Sequence, residues 1–418
     1  MKVVVQKFGG TCVETEANQL LTAERIMEAK DRGLHPVVVV SAMGREGQPY
    51  STVELVSTVR RIHPAIEPRE LDLLMSCGEI ISTVAMAHLL RTKGYETTAF
   101  SGGQVGLITD ECYGHAQIVR IHPKLLLAAL QEGHMVFVAG FQGITEDHQI
   151  TTLGAGGSDY TAVALTHVIR ETPELPFGEA LEVEPLQVFK EVDGIMTANP
   201  SSLEGGDGQP RTIAEVTYDE CVGMSRLGAE VLQQQAAEMA RKYHIPLSVR
   251  NFRQADSPST EVGRGPSNAG SDRATAVVDQ PRLLVFDLDT DEARLSLQIA
   301  ERLERARLTF YQVETREAKV RFAVRPLKYR DIDTIVRGIL AARGAKVEIN
   351  AGDFALVSVV GEALRGRVSA WGERVEEILG GNRIELHGSA RDEISLSYLV
   401  PEGQRKKAVS CLHKGLVL

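Results

Sequence analysis

The amino terminus of this chain carries the pattern that most restricts its fold, a strand–helix–strand unit with glycine-rich turns. Valines at 3–5 and at 37–40 are β-branched runs of the kind found in buried parallel strands. Residues 14–32 between them have apolar residues at helical spacing and end before Gly33. Such a βαβ unit requires a parallel sheet. We therefore predict an α/β fold whose ligands bind at the carboxyl ends of the strands.

Lys7 comes directly after the first valine run and is followed by Gly9 and Gly10, with Thr11 as the predicted helix cap. Glycines let a backbone approach a ligand closely, and a lysine beside exposed N–H groups suits a polyphosphate. Taken alone, this turn is better explained as an ordinary βα turn with a surface lysine. Ser41 follows the second strand and falls at the same sheet edge, which favours the phosphate interpretation.

A second glycine-rich segment, Gly154–Asp159, precedes a helix predicted from Tyr160. Backbone N–H groups at a helix amino terminus favour anions, so this segment is a second candidate anion site. It lacks the spacing of a dinucleotide-binding fingerprint, and the sequence G-x-x-x-x-G-K-[ST] occurs nowhere in the chain.

Glu79 lies among apolar residues of a helix predicted over 68–93. Two interpretations are open: a solvated helix position, or a carboxylate held on an apolar helix to receive an ammonium group. The spacing alone slightly favours the solvated position.

Composition excludes several classes of function. The formal net charge is −10 with no basic block, which argues against nucleic-acid binding. The five cysteines are odd in number and form no C-x-x-C, which suits a reducing cytoplasm. No stretch approaches the roughly 20 apolar residues of a membrane span, the first residues lack the pattern of a signal peptide, and the histidines show no metal-ligand spacing.

The predicted domains are 1–253, a linker at 254–278, and 279–418. The last of these repeats a βαββαβ-like order twice, which fits two small ferredoxin-like domains with a regulatory or oligomerising role. The apolar periodicity also predicts helices at 213–227 and 230–242 and strands at 346–349 and 383–387.

These motifs, in this order, resemble the aspartate kinases of the amino-acid kinase superfamily. The matching segments are Lys7–Val13 (K-F-G-G-T-S-V, with Cys12 for serine), Cys77–Glu79 (C/S-G-E), Gly102–Thr109, Gly140–Gly143 (G-F-Q-G), Gly154–Ala162 (G-R-G-G-S-D-x-T-A) and Val192–Pro200. The tail resembles the tandem ACT domains of that family. The resemblance implies an amino-acid kinase fold, mainly a parallel sheet between helices, followed by two α+β ACT domains.

The resemblance also implies an activity, the ATP-dependent phosphorylation of the β-carboxylate of aspartate with Mg²⁺. Lys7 would neutralise charge on the transferring phosphoryl group, and Asp159 would orient Lys7 or help to place Mg²⁺. The implied nucleotide-binding residues are Lys7, Gly9, Gly10, Ser41 and Gly194. The implied substrate-binding residues are Thr52, Glu79, Gly156, Gly157 and Ser158. An amino-acid effector at the ACT domains and a homodimer formed through them are implied as well.

Several positions depart from the family pattern. Ala155 stands where the family has an arginine for the substrate α-carboxylate, and Arg45 is the candidate replacement. Lys190 and Glu191 stand where a Thr-Asp pair normally lines the nucleotide pocket. Glu230 stands where Gly-Ala-Lys is expected, and Gln233 begins a run of three glutamines where His-Pro-Arg is expected. Three hypotheses therefore stay open: a working aspartate kinase, a kinase for a different small carboxylate, and a catalytically weak regulatory or amino-acid-sensing partner.

Overall fold

The computed structural model describes most of the 418 residues and divides them into two compact units. The described residues are 1–44, 47–176, 178–204, 209–229, 232–265, 271–289, 293–314, 319–326, 331–342 and 349–417. The first unit contains Met1–Ile195, Ala214–Tyr218 and Leu232–Arg264, and the second contains Met196–Ile213, Asp219–Val231 and Gly265–Leu418. The predicted domains follow one another along the chain, whereas these two units interleave.

The elements alternate between strand and helix over most of the chain. The helices are α1 Glu16–Asp31, α2 Thr52–Arg60, α3 Pro68–Thr92, α4 Lys124–Gln131, α5 Gly157–Arg170, α6 Tyr218–Arg226, α7 Gln234–Lys242, α8 Ala293–Arg305, α9 Ile332–Ala341, α10 Val368–Gly381 and α11 Arg405–Leu416. The strands are β1 Lys2–Phe8, β2 His35–Val40, β3 Thr97–Phe100, β4 Leu107–Thr109, β5 Ile118–Ile121, β6 Met135–Ala139, β7 Gln142–Ile144, β8 Ile150–Thr152, β9 Glu182–Val183, β10 Leu186–Lys190, β11 Glu215–Thr217, β12 Leu247–Asn251, β13 Thr260–Gly263, β14 Ala276–Asp289, β15 Phe310–Glu314, β16 Lys319–Val324, β17 Asn350–Val360, β18 Gly388–Asp392 and β19 Ser395–Pro401.

The main sheet of the first unit has the strand order β11-β13-β12-β10-β1-β2-β6-β3, with β9 beside β1. The central pairs β10–β1, β1–β2, β2–β6 and β6–β3 are all parallel. The predicted parallel α/β fold is therefore confirmed, and the carboxyl ends of these strands share one edge. Lys7 and Lys190 both lie at the carboxyl ends of their strands on this edge. A second sheet in the same unit has the order β5-β4-β7-β8.

Two segments of the first unit form strands that the sequence did not indicate. Residues 215–217, predicted as part of a helix, form β11, in which Val216 is buried and pairs with Val262. Residues 260–263, inside the predicted linker, form β13 with Val262 buried and Glu261 exposed. Both strands are too short for an alternating side-chain pattern to be recognised in the sequence. They form because β13 pairs with both β11 and β12.

Three helix starts also differ from the predictions. The cap of α1 is Thr15, whose hydroxyl accepts a hydrogen bond from the N–H of Asn18 at 3.2 Å, and not Thr11, which lies in a short 3₁₀ turn. Helix α5 begins at Gly157, three residues earlier than predicted. Helix α7 begins at Gln234; the predicted start at Glu230 lies outside the described residues.

Helix α3 is long and apolar enough to cross a membrane by length and composition, which the sequence analysis did not anticipate. Half of its most apolar window is buried inside the protein. Its buried side chains include Asp72 and Glu79, and it contributes Met86 and Leu90 to the core that also contains Phe137 of β6. These contacts are those of a core helix in a folded domain.

The second unit is organised around a closed sheet with the strand order β14-β16-β15-β18-β19-β17. The first three of these strands come from the first predicted repeat and the last three from the second, so the two ferredoxin-like repeats share one sheet. Helices α8 and α9 cover one apolar core, which includes Phe286 and Phe322. Helices α10 and α11 cover another, which includes Trp371 and Tyr398.

One strand of the second unit was predicted in the wrong place. Residues 383–387 do not form a strand. Arg383 and Ile384 complete the end of α10 instead: Arg383 adopts a left-handed φ of 56°, and the N–H of Ile384 bonds to the carbonyl of Leu379 at 3.0 Å. The strand β18 begins immediately afterwards, at Gly388. The strand predicted at 346–349 falls almost entirely outside the described residues.

Candidate active site

A buried ion pair occupies the carboxyl edge of the main sheet. The Nζ atom of Lys7, near the end of β1, lies 2.7 Å from Oδ1 of Asp159, in the first turn of α5. The side chains of Lys7 and Asp159 are only 7% and 4% exposed. A buried charge is stable only when it is paired and hydrogen-bonded, so the Lys7 ammonium group compensates the burial of the Asp159 carboxylate.

Asp159 is held in its ionised state by further contacts. Its Oδ2 accepts a hydrogen bond from the backbone N–H of Gln233 at 3.2 Å. Burial by itself would raise the pKa of the Asp159 carboxyl, but the charges of Lys7 and Lys190 and the hydrogen bonds together lower it below its ordinary value. The sequence departures at Lys190 and Gln233 therefore lie at this ion pair.

The two glycines after Lys7 allow the close approach that the sequence suggested. A Cβ on Gly10 would lie 2.8 Å from the carbonyl oxygen of Ala42, and one on Gly9 would lie 3.6 Å from Nζ of Lys7. The Gly10 turn is thus packed directly against the segment that follows Ser41. Only glycine fits at position 10 without moving that segment.

Glu79 is buried and faces the same segment. Its Oε1 accepts a hydrogen bond from the N–H of Ala42 at 3.0 Å, while its Oε2 is buried with no hydrogen-bond partner in the part of the chain that the structure describes. Burial raises the pKa of the Glu79 carboxyl to about 8, although the hydrogen bond from Ala42 opposes this shift. Glu79 is therefore not the solvated helix residue that its spacing slightly favoured, and its second oxygen is available to a cationic ligand.

The second glycine segment leads into α5 through a left-handed residue. Gly156 has a φ of 78° and precedes Gly157 and Ser158, which are both buried in the first turn. A Cβ on Gly140 would lie 2.7 Å from Oγ of Ser158, so a glycine is needed where the end of β6 meets this turn. Ala155 is exposed and carries no polar group.

Two predicted site residues lie in other local structures. Thr52 is the first residue of α2, and the cap of this helix is Ser51, whose hydroxyl accepts from the N–H of Glu54 at 3.3 Å. Gly194 adopts a left-handed φ of 92° in the turn after β10. Within the described ranges, no hydrogen bond joins Thr52 or Gly194 to Lys7, Asp159 or Glu79. Arg45 is outside the described residues, so its compensation for Ala155 stays a prediction.

Asp72 is a buried carboxylate that the sequence analysis missed. Its Oδ2 accepts hydrogen bonds from the N–H groups of Gly114 at 2.8 Å and Thr152 at 2.7 Å, and its Oδ1 accepts from the Thr152 hydroxyl at 2.8 Å. Burial raises the pKa of the Asp72 carboxyl to about 6, against the effect of these hydrogen bonds. Its position on α3, two helical turns before Glu79 among apolar residues, was the available signal.

No group of three or more His, Cys, Asp or Glu residues in the described ranges is arranged to hold a metal ion. Mg²⁺ in phosphoryl-transfer sites is commonly held by one or two carboxylates together with the substrate phosphates. Asp159, a buried carboxylate beside the Lys7 turn, fits that requirement.

Comparison with known proteins gives a consistent result over the whole chain. A model described as the amino acid kinase family matches residues 2–251. The chain is 34% identical to an aspartokinase of Geobacillus stearothermophilus, over 100% of this chain and 98% of that protein. It is 32% identical to aspartokinase 1 of Bacillus subtilis, over 99% of this chain and 98% of that protein.

The fold agrees with these sequence matches. The crystal structure of Escherichia coli aspartokinase III in complex with aspartate and ADP superimposes with a TM-score of 0.80, over 99% of each chain and at 22% identity. The family resemblance inferred from the motifs is confirmed. This chain belongs to the aspartokinases, within the amino acid kinase family.

Proposed function

We propose that this protein transfers the γ-phosphoryl group of ATP to the β-carboxylate of L-aspartate, producing aspartyl phosphate and ADP. The observation that carries the proposal is the buried Lys7–Asp159 pair at the carboxyl edge of a parallel sheet, 2.7 Å apart. The full-length relatives are named aspartokinases, and the similar Escherichia coli enzyme was crystallised with aspartate and ADP.

The reaction needs charge stabilisation and positioning more than covalent chemistry. The acceptor carboxylate is already ionised at neutral pH, so it attacks the γ-phosphorus directly and no enzyme-bound phosphoryl intermediate is needed. Lys7 stabilises the negative charge on the transferring group. Asp159 keeps the Lys7 ammonium in place through the ion pair.

The ligand roles that we propose around this pair are those that the family resemblance implies. The N–H groups of the two glycine turns face the phosphates of the nucleotide, and the unpartnered Oε2 of Glu79 receives the substrate ammonium. The proposed nucleotide-binding residues are Lys7, Gly9, Gly10, Ser41 and Gly194, and the proposed substrate-binding residues are Thr52, Glu79, Gly156, Gly157 and Ser158. Mg²⁺ would be held by Asp159 together with the nucleotide and would supply neutralisation of phosphate charge.

A second acceptor is favoured by one observation. Ala155 is exposed and offers no cation to the α-carboxylate of aspartate. A charged hydrogen bond is worth roughly 1.5–3 kcal/mol, so its loss would weaken aspartate use by about 10- to 150-fold. A small carboxylate with an amino group but without the α-carboxylate would not be affected.

We also propose that the protein is a regulated metabolic enzyme that works as a dimer in the cytoplasm. The second unit would bind an amino-acid effector and join two copies of the chain. The protein would work in the cytoplasm without a nucleic-acid or membrane partner, and its five free cysteines are compatible with a reducing compartment.

The test is calorimetric titration with Mg²⁺–ATP, followed by aspartate-dependent release of ADP. Lys7→Met should abolish turnover, and Lys7→Met/Asp159→Asn, which leaves no unpaired buried charge, should be equally inactive while remaining folded. Ala155→Arg should increase turnover of aspartate. A wild-type protein that binds no nucleotide would support a regulatory partner instead, and one that binds ATP without using aspartate would support a different carboxylate.

A further inference from the structure

Lys190 is the last residue of β10, the strand next to β1. The two strands are parallel, and Lys7 pairs with Val188 while Phe8 pairs with Phe189. The rings of Phe8 and Phe189 stack 4.6 Å apart on one face of the sheet. Because strand side chains alternate, Lys190 is directed to the other face, as Lys7 is.

That face carries helix α5 and the Asp159 carboxylate. Helix α5 packs against both β1 and β10. The positive charge of Lys190 acts on the Asp159 carboxylate and on the buried Cys12 thiol after the Gly10 turn, so Lys190 lies near both groups. Two lysines from neighbouring strands thus converge on the edge where the phosphates are proposed to bind.

The charges around this edge are redistributed relative to the family pattern. The resemblance expects Thr-Asp at positions 190 and 191, so Glu191 keeps a carboxylate and Lys190 is an added cation. It also expects a lysine in the segment where this chain has Glu230, which lies outside the described residues. Relative to the family pattern, the chain therefore lacks the lysine expected in the segment of Glu230 and has an additional lysine, Lys190, on β10.

We propose that the Lys190 ammonium binds the phosphates of the nucleotide beside Lys7, as a replacement for the lysine that the family carries elsewhere. This inference rests on the proposed function, because it requires a nucleotide at this edge. It also explains why several residues expected around the nucleotide differ from the family pattern while the Lys7 turn is retained. A flexible ammonium at a strand end can reach a phosphate as a point charge.

The test compares Lys190→Met with wild type by calorimetric titration with Mg²⁺–ATP. Loss of a charged contact should weaken ATP binding by about 10- to 150-fold. The KM for ATP should rise while the KM for aspartate stays unchanged. Lys190→Arg should retain most of the affinity, because the positive charge is kept. Lys2→Met, the same substitution at the exposed opposite end of β1, is the matched control and should bind ATP like wild type.

Lys190→Thr, the residue type that the family pattern expects, is a second neutral variant if Lys190→Met does not fold. An affinity for ATP within twofold of wild type in a folded neutral variant would overturn the inference and leave the proposed function intact. A lower kcat with unchanged ATP binding would also overturn it, because Lys190 would then act only through Asp159. Absence of ATP binding by wild type would remove the proposed function itself.

Discussion

Burial changes the acid strength of the Glu79 carboxyl. With a pKa of about 8, Glu79 is mostly protonated at pH 7 in the ligand-free protein, whereas an ammonium ligand requires the carboxylate. The unfolded chain loses this proton near the ordinary value of 4.5. Because the folded state binds more protons between these two values, Glu79 makes the ligand-free protein less stable as pH rises from about 4.5 to about 8.

Aspartate binding should therefore release close to one proton from Glu79 at pH 7. Titrations in two buffers with different ionisation enthalpies measure this number directly. Glu79→Gln should release none and should bind aspartate about 10- to 150-fold more weakly, since a charged hydrogen bond is lost. Buffer-independent heats for the wild-type protein would contradict this assignment.

Gly154 is a residue where two constraints coincide. It has a φ of 79°, and a Cβ there would overlap Nδ1 of His115. Gly133 has a nearly identical φ of 81° but faces open space. Gly133→Ala should cost about 1 kcal/mol in unfolding free energy from backbone strain alone. Gly154→Ala should cost at least about 1 kcal/mol more, from overpacking. Urea denaturation measures both variants, and equal losses would show that His115 moves away without cost.

At the scale of elements, α3 connects two parts of the first unit. Asp72 and Glu79 lie two turns apart on its buried side. Glu79 binds the segment after β2, while Asp72 binds β8 and the loop at Gly114. The helix therefore fixes the position of Glu79, the predicted ammonium site, relative to β8, the strand that leads into the second glycine segment.

Asp72→Asn should destabilise the protein, because an amide cannot accept all three hydrogen bonds and presents its own donor to an N–H group. We expect a loss of about 1–3 kcal/mol for each donor left unsatisfied. The control is Asp147→Asn in the exposed turn between β7 and β8, where a change within about 0.5 kcal/mol is expected. Urea unfolding measures the unfolding free energy of both variants. Equal values for Asp72→Asn and Asp147→Asn would exclude this role of Asp72.

Long buried elements could be predicted from the sequence, and short or paired features could not. The valine runs at 3–5 and 37–40 lie in the buried strands β1 and β2, as predicted, because continuous β-branched runs specify buried parallel strands. Strand β11 could not be predicted, because three residues carry no period. The orientation of Glu79 depends on the N–H of Ala42, a partner distant in sequence that periodicity does not reveal.

At the scale of the whole molecule, the second unit includes chain from before the predicted linker. Oε1 of Glu220, in α6, accepts hydrogen bonds from the Thr275 hydroxyl at 2.5 Å and from the N–H of Glu362 at 3.0 Å. The carbonyl of Thr197 accepts from the N–H of Val277 at 2.9 Å. Glu220 is therefore bonded in part by Glu362 of the second repeat, and the Thr197 hydroxyl lies 2.8 Å from Nε2 of His413 in α11.

A fragment of residues 1–278 should consequently be less stable than the full chain. Removal of Glu362 and its neighbours leaves the buried Glu220 carboxylate short of a donor, at a cost of about 1–3 kcal/mol or more. Each kcal/mol lowers the midpoint of thermal unfolding by about 2–4 °C in a domain of this size. Circular dichroism melts compare the two proteins, and a fragment that melts at the temperature of the full chain would contradict the expectation.

The closed sheet of the second unit has a mechanical consequence. In the described part of the second unit, each of the six strands pairs with a strand on both sides, although β15 and β18 are joined only by Glu314 and Ser389. Paired strands of this kind offer little edge to which a strand of another copy could be added. Two copies joined through the described strands of this half would therefore meet through surfaces other than a strand edge. A ligand that displaces β14, β15, β17 or β18 would also disturb a strand of the other repeat, because β14 pairs with β17 and β15 pairs with β18. The two repeats are thus coupled at these two junctions.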